Sequence, residues 1–181
     1  MNRRDKNNRR ERGSGLIVII MIVAFMLAVG MLLLTVTGTS PKVSDSMRLQ
    51  GMAFDSAEAG FNSAWIVLND AFLNKVYTSF NGHYRTNFGG APGLDDPLSS
   101  SYFRKLTDEQ IIADVAADPT NAIFNSEVLA TDDRCTYTVF LVNDEAPGTI
   151  AADDNDCILV CIGRGPRNTY KRLEIVIEVG S

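Results

Sequence analysis

The chain has 181 residues, of which 45% are hydrophobic and 22% are charged, which suits one modest domain and an apolar anchor. Residues 1–13 carry six basic and two acidic side chains, a net charge of +4, so the total of −5 leaves −9 on the remainder. That acidic remainder has no basic patch with interleaved aromatic residues, which argues against nucleic acid as a partner.

An uncharged apolar run from Leu16 to Leu34 follows the basic head. These 19 residues, as a helix rising about 1.5 Å per residue, just cross a hydrocarbon core of about 30 Å. The run is longer than the apolar part of a secretory signal, about 7–15 residues, and no small-x-small cleavage site follows it. We therefore predict a membrane-spanning helix over residues 14–37. The alternative, a buried core helix, needs a larger protein around it.

The membrane topology follows from the same charges. Basic residues stay on the cytoplasmic side of a membrane helix, so the arginine-rich head should be cytoplasmic. Everything after Thr35 should then be exported, as the head domain of a single-pass protein.

A second helix is predicted over residues 43–77, after an interruption from Gly38 to Pro41 where proline lacks an amide hydrogen and restricts its neighbour. Apolar residues recur there every seven positions, which predicts one face packed against a sheet. Gly51 and Gly60 indicate either close approach by a neighbouring helix or tolerated local looseness. The predicted apolar face comprises Met47, Phe54, Phe61, Trp65, Leu68, Phe72 and Val76; the predicted polar side comprises Ser46, Asp55, Ser56, Asn62 and Ser63.

Residues 78–130 are predicted to be rich in loops, because glycine, asparagine, serine and proline cluster in their first part. One short helix is expected within this region. Thr107 and Gln110 fit a capping box, and apolar residues follow them at helical spacing until Pro119 ends the helix.

The C-terminal region, residues 131–181, changes to a strand-like pattern. Three segments are rich in β-branched and aromatic residues: 135–142, 157–162 and 173–179. The residues from Gly163 to Asn168 form a turn between the second and third segments, and three successive strands linked in this way favour an antiparallel meander. One long helix packed on this small sheet predicts an α+β fold.

Two segments carry a family resemblance. The residues from Arg10 to Val18 read RERGSGLIV and resemble a type IV prepilin leader that ends in glycine before an apolar segment. The stretch from Gly51 to Phe61 contains AFDSAEAG and is similar to the AFxxAEAG signature of PilX-type minor pilins. The three-strand end also resembles the end of that family.

This resemblance implies a pilin-like fold and a processing pathway. A prepilin peptidase would remove the leader, residues 1–13, by cutting after Gly13, and Ser14 would become the N-methylated first residue. The apolar helix would hold the subunit in the inner membrane, with its head in the periplasm, and would later pack against other pilins in a surface pilus.

Two departures from the major pilins bear on the role that this chain would have in a filament. The first mature residue is Ser14 and not a bulky apolar one, and the fifth is Val18 and not glutamate. A carboxylate in an apolar core is costly unless it is paired, so a subunit with no neighbour above it can omit the group. We therefore expect a role in pilus initiation or at the tip. The alternatives are a K-type pseudopilin of type II secretion and a signal-anchored periplasmic binding protein that never polymerises.

The chain has three cysteines. Cys157 and Cys161 lie four residues apart on one strand, about 13 Å at 3.3 Å per residue, which is too far for a disulfide. A bond between Cys135 and Cys161 is the favoured pairing, because it sets Val142 opposite Asp154 and nearly closes the hairpin. The alternatives are a bond between Cys135 and Cys157, or three reduced thiols.

Metal binding and catalysis have little support in the sequence. An acidic loop supplies oxygen donors of the kind calcium prefers, but their spacing does not match an EF-hand and a solvated loop is favoured. The single His83 has no nearby cysteine or histidine at metal-ligand spacing, so we expect no metal site, no cofactor and no enzyme activity. Glu58 either contacts a neighbouring subunit or is solvated. The weak calcium candidates are Asp144, Asp153, Asp154 and Asp156.

Overall fold

A computed structural model describes residues 5–143 and 156–179, with side chains from residue 15 onward except those of residues 36–42. The chain forms two compact units, Met1–Ser46 and Met47–Ser181, which are described separately. The first helix, α1, spans Asp5–Leu73 and supplies residues to both units.

The backbone of α1 is helical through the predicted interruption, so the predicted break from Gly38 to Pro41 is wrong. Proline removes one intrahelical hydrogen bond, but helix propagation is cooperative, and the residues on both sides carry the helix through. The predicted second helix, residues 43–77, is therefore the later part of α1, which ends at Leu73.

The second unit confirms the predicted α+β architecture and the antiparallel meander. Four strands form one antiparallel sheet in the order in which they occur along the chain, and a separate two-stranded ribbon precedes it. The later elements of this unit are β1 (Asn87–Phe88), β2 (Ala91–Pro92), α2 (Asp108–Ala117), β3 (Ala122–Leu129), β4 (Asp132–Val142), β5 (Asp156–Gly165) and β6 (Thr169–Glu178).

The short helix is confirmed together with its capping box. The Thr107 hydroxyl accepts a hydrogen bond from the Gln110 amide at 3.3 Å, and the Gln110 side chain accepts one from the Thr107 amide at 2.9 Å. Strand β3, in contrast, lies in the region predicted to be loop-rich. Its pairing with β4 is interrupted by three register shifts, and Ser126 has a φ of 53°. Because an irregular strand does not present every second residue to the same face, its sequence lacks the alternation that marks a regular strand.

The sheet is covered on both faces. The face with Tyr137, Val139 and Leu141 packs against α1, through a cluster that includes Ala64 and Leu68. The opposite face packs against α2 and the residues that precede it. The buried residues of this second cluster are Leu94, Phe103, Ile111, Ile112, Val115, Phe140, Val142, Ile158, Val160 and Ile162.

The contact between α1 and the sheet is made by small residues. A Cβ atom added to Gly163 of β5 would lie 2.0 Å from the Ala53 carbonyl oxygen and 2.4 Å from the Ala57 nitrogen. On α1 itself, a Cβ atom at Gly60 would lie 3.0 Å from the Tyr137 ring of β4. This seam consists of the α1 residues Leu49, Ala53, Ser56, Ala57, Gly60, Ala64 and Leu68, all buried, with Gly163 of β5.

The predicted packing face of α1 is therefore largely wrong. Leu68 is buried as predicted, and Phe61 and Phe72 are partly buried, but Met47 is 69% exposed and Trp65 is 49% exposed. Ser56, predicted to point away, is fully buried, and its hydroxyl donates to the Met52 carbonyl at 3.1 Å. Large side chains do not fit where a strand comes this near, so the small residues face the sheet and the aromatic ones lie beside it.

A buried arginine ties the segment before β1 to α2. Arg85 is 4% exposed, and its guanidinium donates to the Asp118 and Thr120 carbonyls at 2.8 and 2.7 Å and to the Asp114 carboxylate at 2.7 Å. Asp114 also accepts from the Gly89 amide at 2.7 Å. The guanidinium thus satisfies carbonyl groups at and just beyond the C-terminus of α2, which a helix end leaves without intrahelical partners.

We expect Gly163→Ala to destabilise the protein by about 2–4 kcal/mol, because its methyl group meets backbone atoms of α1 that cannot move aside. Gly51→Ala is the matched control: a Cβ there meets nothing within 4 Å, so it should be neutral or stabilise the helix. Denaturant unfolding of the detergent-solubilised protein measures both. Equal stability of Gly163→Ala and wild type would contradict the tight seam.

We expect Arg85→Met to cost about 3–5 kcal/mol, because it leaves Asp114 and several carbonyls without their partner in a largely buried place. Arg104→Met is the control. Arg104 pairs with Glu174 at 2.8 Å on the surface, and an exposed pair contributes less than about 1 kcal/mol. The same unfolding measurement compares the two, and a loss below about 1 kcal/mol in Arg85→Met would rule out a structural role for the buried pair.

Candidate functional site

The predicted processing junction, Gly13 and Ser14, lies within the helical backbone of α1. The side chains of both residues fall outside the described side chains. The apolar span begins directly after this junction. Residues Gly15–Thr35 form a 21-residue stretch with a mean hydropathy of 3.2, of which none is buried. By length and composition this part of α1 can cross a membrane.

The exposed apolar side chains of this span surround the helix on all sides. Leu16, Phe25 and Leu34 are each more than 60% exposed, and their neighbours are similar. Apolar surface of this kind is unfavourable in water, at about 25 cal/mol per Å², and favourable in a bilayer or against another apolar helix. By composition and exposure, the same residues suit either surrounding.

A second apolar surface lies on the later part of α1, beside the seam. We call Met47, Phe54, Phe61, Trp65 and Phe72 the apolar flank. The rings of Phe61 and Trp65 lie with centroids 6.4 Å apart. Glu58, for which a contact with a neighbouring subunit was considered, is exposed.

The apolar flank leads into a groove at the end of the sheet. The groove has a volume of about 380 Å³ and lies between the end of α1 and the end of β6. Its wall from α1 includes Trp65 and Phe72, and its wall from β6 and the residue after it includes Ile177 and Val179. Two polar residues, Asn69 and Glu178, also line the groove, which is otherwise apolar.

The favoured disulfide is contradicted by the sheet register. Cys161 lies opposite Val139, and Val142 lies opposite Ile158 and not Asp154. Cys135 is therefore four residues away from the position opposite Cys161, about 13 Å along the strand at 3.3 Å per residue, and Cys157 lies further still. All three cysteines are free and buried, which corresponds to the reduced alternative.

All three thiols are buried, and the pKa values of two of them are raised. Burial raises the pKa of Cys161 to about 12. Burial also raises the pKa of Cys135, partly offset by a hydrogen bond with Ser56. The thiolate is the reactive form of cysteine, so a raised pKa makes Cys135 and Cys161 poor nucleophiles.

The remaining candidates are only partly described. Asp144, Asp153 and Asp154 lie outside the described residues, while Asp156 begins β5, and its carbonyl accepts a hydrogen bond from the Tyr84 hydroxyl at 3.2 Å. Among the described side chains, no three His, Cys, Asp or Glu residues gather to hold a metal ion. His83 stacks on Tyr77 with ring centroids 3.6 Å apart.

Sequence reasoning missed two features of this unit, the seam and the Arg85–Asp114 pair. The seam had a detectable signal, because Ala53, Ala57 and Gly60 recur at helical spacing and Gly163 follows an apolar strand. The buried pair had none, since its members are 29 residues apart in a region without strong periodicity.

We expect the protein to lose stability as pH rises from about 9 toward about 12 because of Cys161. The folded state holds this thiol protonated while the unfolded thiol ionises near 9.0, so its contribution is complete below that pH and is lost above it. The free energy of unfolding, measured across this pH range, should fall more steeply with pH in wild type than in Cys161→Ala. A thiol reagent at neutral pH should label all three cysteines only after denaturation, and rapid labelling of the folded protein would contradict their burial.

Comparisons of the chain with protein-family models, with curated protein sequences and with solved structures find no match. Its function therefore has to be argued from its own residues. The feature that carries this argument is the apolar span, Gly15–Thr35.

Proposed function

We propose that the chain is a minor pilin-like subunit of a type IV pilus that takes part in pilus assembly or initiation, or is displayed at the tip. The observation that carries the proposal is the apolar span, Gly15–Thr35, none of which is buried within the chain. A surface this apolar is stable only in an apolar environment. A pilin uses two such environments, the bilayer and the helices of other subunits.

The proposed pathway begins in the inner membrane. The basic leader, residues 1–13, stays in the cytoplasm, the span crosses the bilayer, and the second unit lies in the periplasm. Prepilin peptidase cuts between Gly13 and Ser14, and Ser14 is then N-methylated. Removal of the leader takes away six basic and two acidic side chains, and with them the charges that hold this end on the cytoplasmic side.

The second step is burial of the span among other pilins. Side chains on all sides of the helix are exposed, so the span can contact several neighbouring helices at once and not only one. Small residues favour such packing because they allow backbones to approach closely. The span contributes Gly15, Ala24, Ala28 and Gly30 for this purpose.

The residue at the fifth mature position supports a minor role. Val18 adds another apolar side chain to the span, where major pilins carry glutamate. A span without a carboxylate needs no partner for a buried charge, so it enters an apolar environment at lower cost. This favours a subunit that starts or ends a filament over one that fills its shaft.

We expect the mature protein to begin at Ser14 in a host with prepilin peptidase and to retain its leader when that peptidase is deleted. Intact-mass measurement of the protein extracted from membranes distinguishes the processed form from the form that retains its leader. Replacing Gly13 with a bulky residue, as in Gly13→Leu, should block cleavage, whereas Gly15→Ala is a matched control that should be processed normally. Retention of Met1 in the wild-type host would favour a plain signal-anchored protein.

The position within the filament needs a second measurement in the same strain. Mass spectrometry of sheared surface filaments should detect the processed chain at a low ratio to the major subunit, and immunogold labelling should mark filament ends. Even labelling along the shaft would reject a tip or initiation role. Presence in the membrane with absence from the filaments would favour a subunit that does not polymerise.

A further inference from the structure

The two edges of the four-stranded sheet differ in regularity. Strand β3 forms one edge, and its register with β4 is broken at three places. Strand β6 forms the other edge and pairs with β5 without interruption from Thr169 to Glu178. Bulges and twists protect an edge from further pairing, and a long regular edge is a template for another strand. In the described part of the chain, β6 pairs with β5 alone.

The regular edge lies next to the apolar flank. The seam places α1 over β5, where Gly163 meets Ala53 and Ala57. Neighbouring strands lie about 4.8 Å apart, so a strand added beyond β6 would lie about 10 Å from β5. Side chains from its helix-facing side would then reach the groove between Trp65 of α1 and Ile177 of β6.

The chemistry of this edge selects the occupant. On the helix-facing side the groove is apolar, which favours apolar residues at alternate positions of an added strand. On the outer side, β6 presents Val176, which is 65% exposed, next to the exposed Glu178. Arg172 and Glu174 on the same side are already engaged in ion pairs with Asp108 and Arg104. Cationic residues at the intervening positions would therefore lie beside the Glu178 carboxylate, on a chain that carries a net charge of −9 after Gly13.

We propose that β6 and the apolar flank together bind an extended segment of a partner protein, with apolar residues alternating with Lys or Arg, as an added strand of the sheet. Backbone hydrogen bonds along β6 provide the affinity, and the groove provides the specificity for alternate side chains. A second copy of the chain fits less well, because the residues after Gly13 carry a net charge of −9. The surface belongs to the second unit alone and does not depend on cleavage at Gly13.

The protein carries its own reporter for this binding. Trp65 is the single tryptophan of the chain, and it lines the groove. The probe is a synthetic peptide of alternating valine and lysine with the length of β6, added to the full-length protein in detergent micelles. We expect a saturable blue shift of the tryptophan emission, because the ring is transferred from water to an apolar contact. A peptide of the same composition with valines and lysines in separate blocks should give no shift.

Backbone pairing is tested with two N-methylated peptides. Only alternate amides of an added strand face β6, so methylation in one phase should abolish binding and methylation in the other phase should leave it. Equal binding of both methylated peptides would overturn strand addition, as would equal binding of the block peptide. The absence of any saturable shift would overturn the site itself.

Two surface variants locate the site. Val176→Lys places a cation on the outer side of β6 and should weaken peptide binding by up to about fivefold, since like charges on adjacent strands repel. Val128 is 50% exposed on the opposite edge strand, so Val128→Lys is the matched control and should bind as wild type does. Equal weakening in both variants would overturn the assignment to β6. If light scattering shows a dimer in wild type and a monomer in Val176→Lys, the occupant of this edge is a second copy of the chain and not a partner segment.

Discussion

The contact between Gly163 and α1 determines most of the second unit. The added Cβ distances of 2.0 and 2.4 Å mean that a glycine is required there and that the facing helix residues must be small. The helix consequently turns Ala53, Ala57 and Gly60 toward the sheet. This arrangement brings the backbones of helix and strand close together, at the cost of leaving larger apolar residues at the sides of the helix.

The burial of the sheet follows from having a layer on each face. With α1 on one side and α2 on the other, nearly every residue of β5 is removed from water, which explains its continuous apolar sequence without alternation. The same burial accounts for the chemistry of the cysteines. Cys157 and Cys161 lie in the layer beneath α1, where a thiolate would be desolvated, so they behave as small apolar side chains.

The sequence predicted the features that depend on local patterns. The capping box of α2 is local, and three strands are marked by β-branched residues over several positions. The features that depend on contacts between distant segments of the chain were missed. The register of β4 against β5 depends on the long connection, residues 143–155, whose geometry the sequence does not constrain, and this is why the pairing of Cys135 with Cys161 was wrong. Strand β3 needs β4 to hold its irregular backbone.

The packing face of α1 was missed for a different reason. Periodicity identifies the side of a helix with the largest apolar residues, and here that side includes Phe54, Phe61 and Trp65. A helix that lies close to a strand must use its smallest residues and not its most apolar ones. The signature AFDSAEAG contains both kinds of residue: its alanines and glycine form the seam, while Phe54 and Glu58 remain exposed.

The separation of these two surfaces on one helix has a functional consequence. Residues of the seam determine stability, since each is in contact with the sheet. Within the apolar flank, Met47 and Trp65 contribute less to the fold, because they are 69% and 49% exposed, whereas Phe61 and Phe72 pack partly against the core. Met47 and Trp65 can therefore change with little loss of stability, and in the proposed strand addition a change at Trp65 would alter the binding preference while the seam keeps the fold. A helix that served both purposes with the same residues would lose stability with every change of partner.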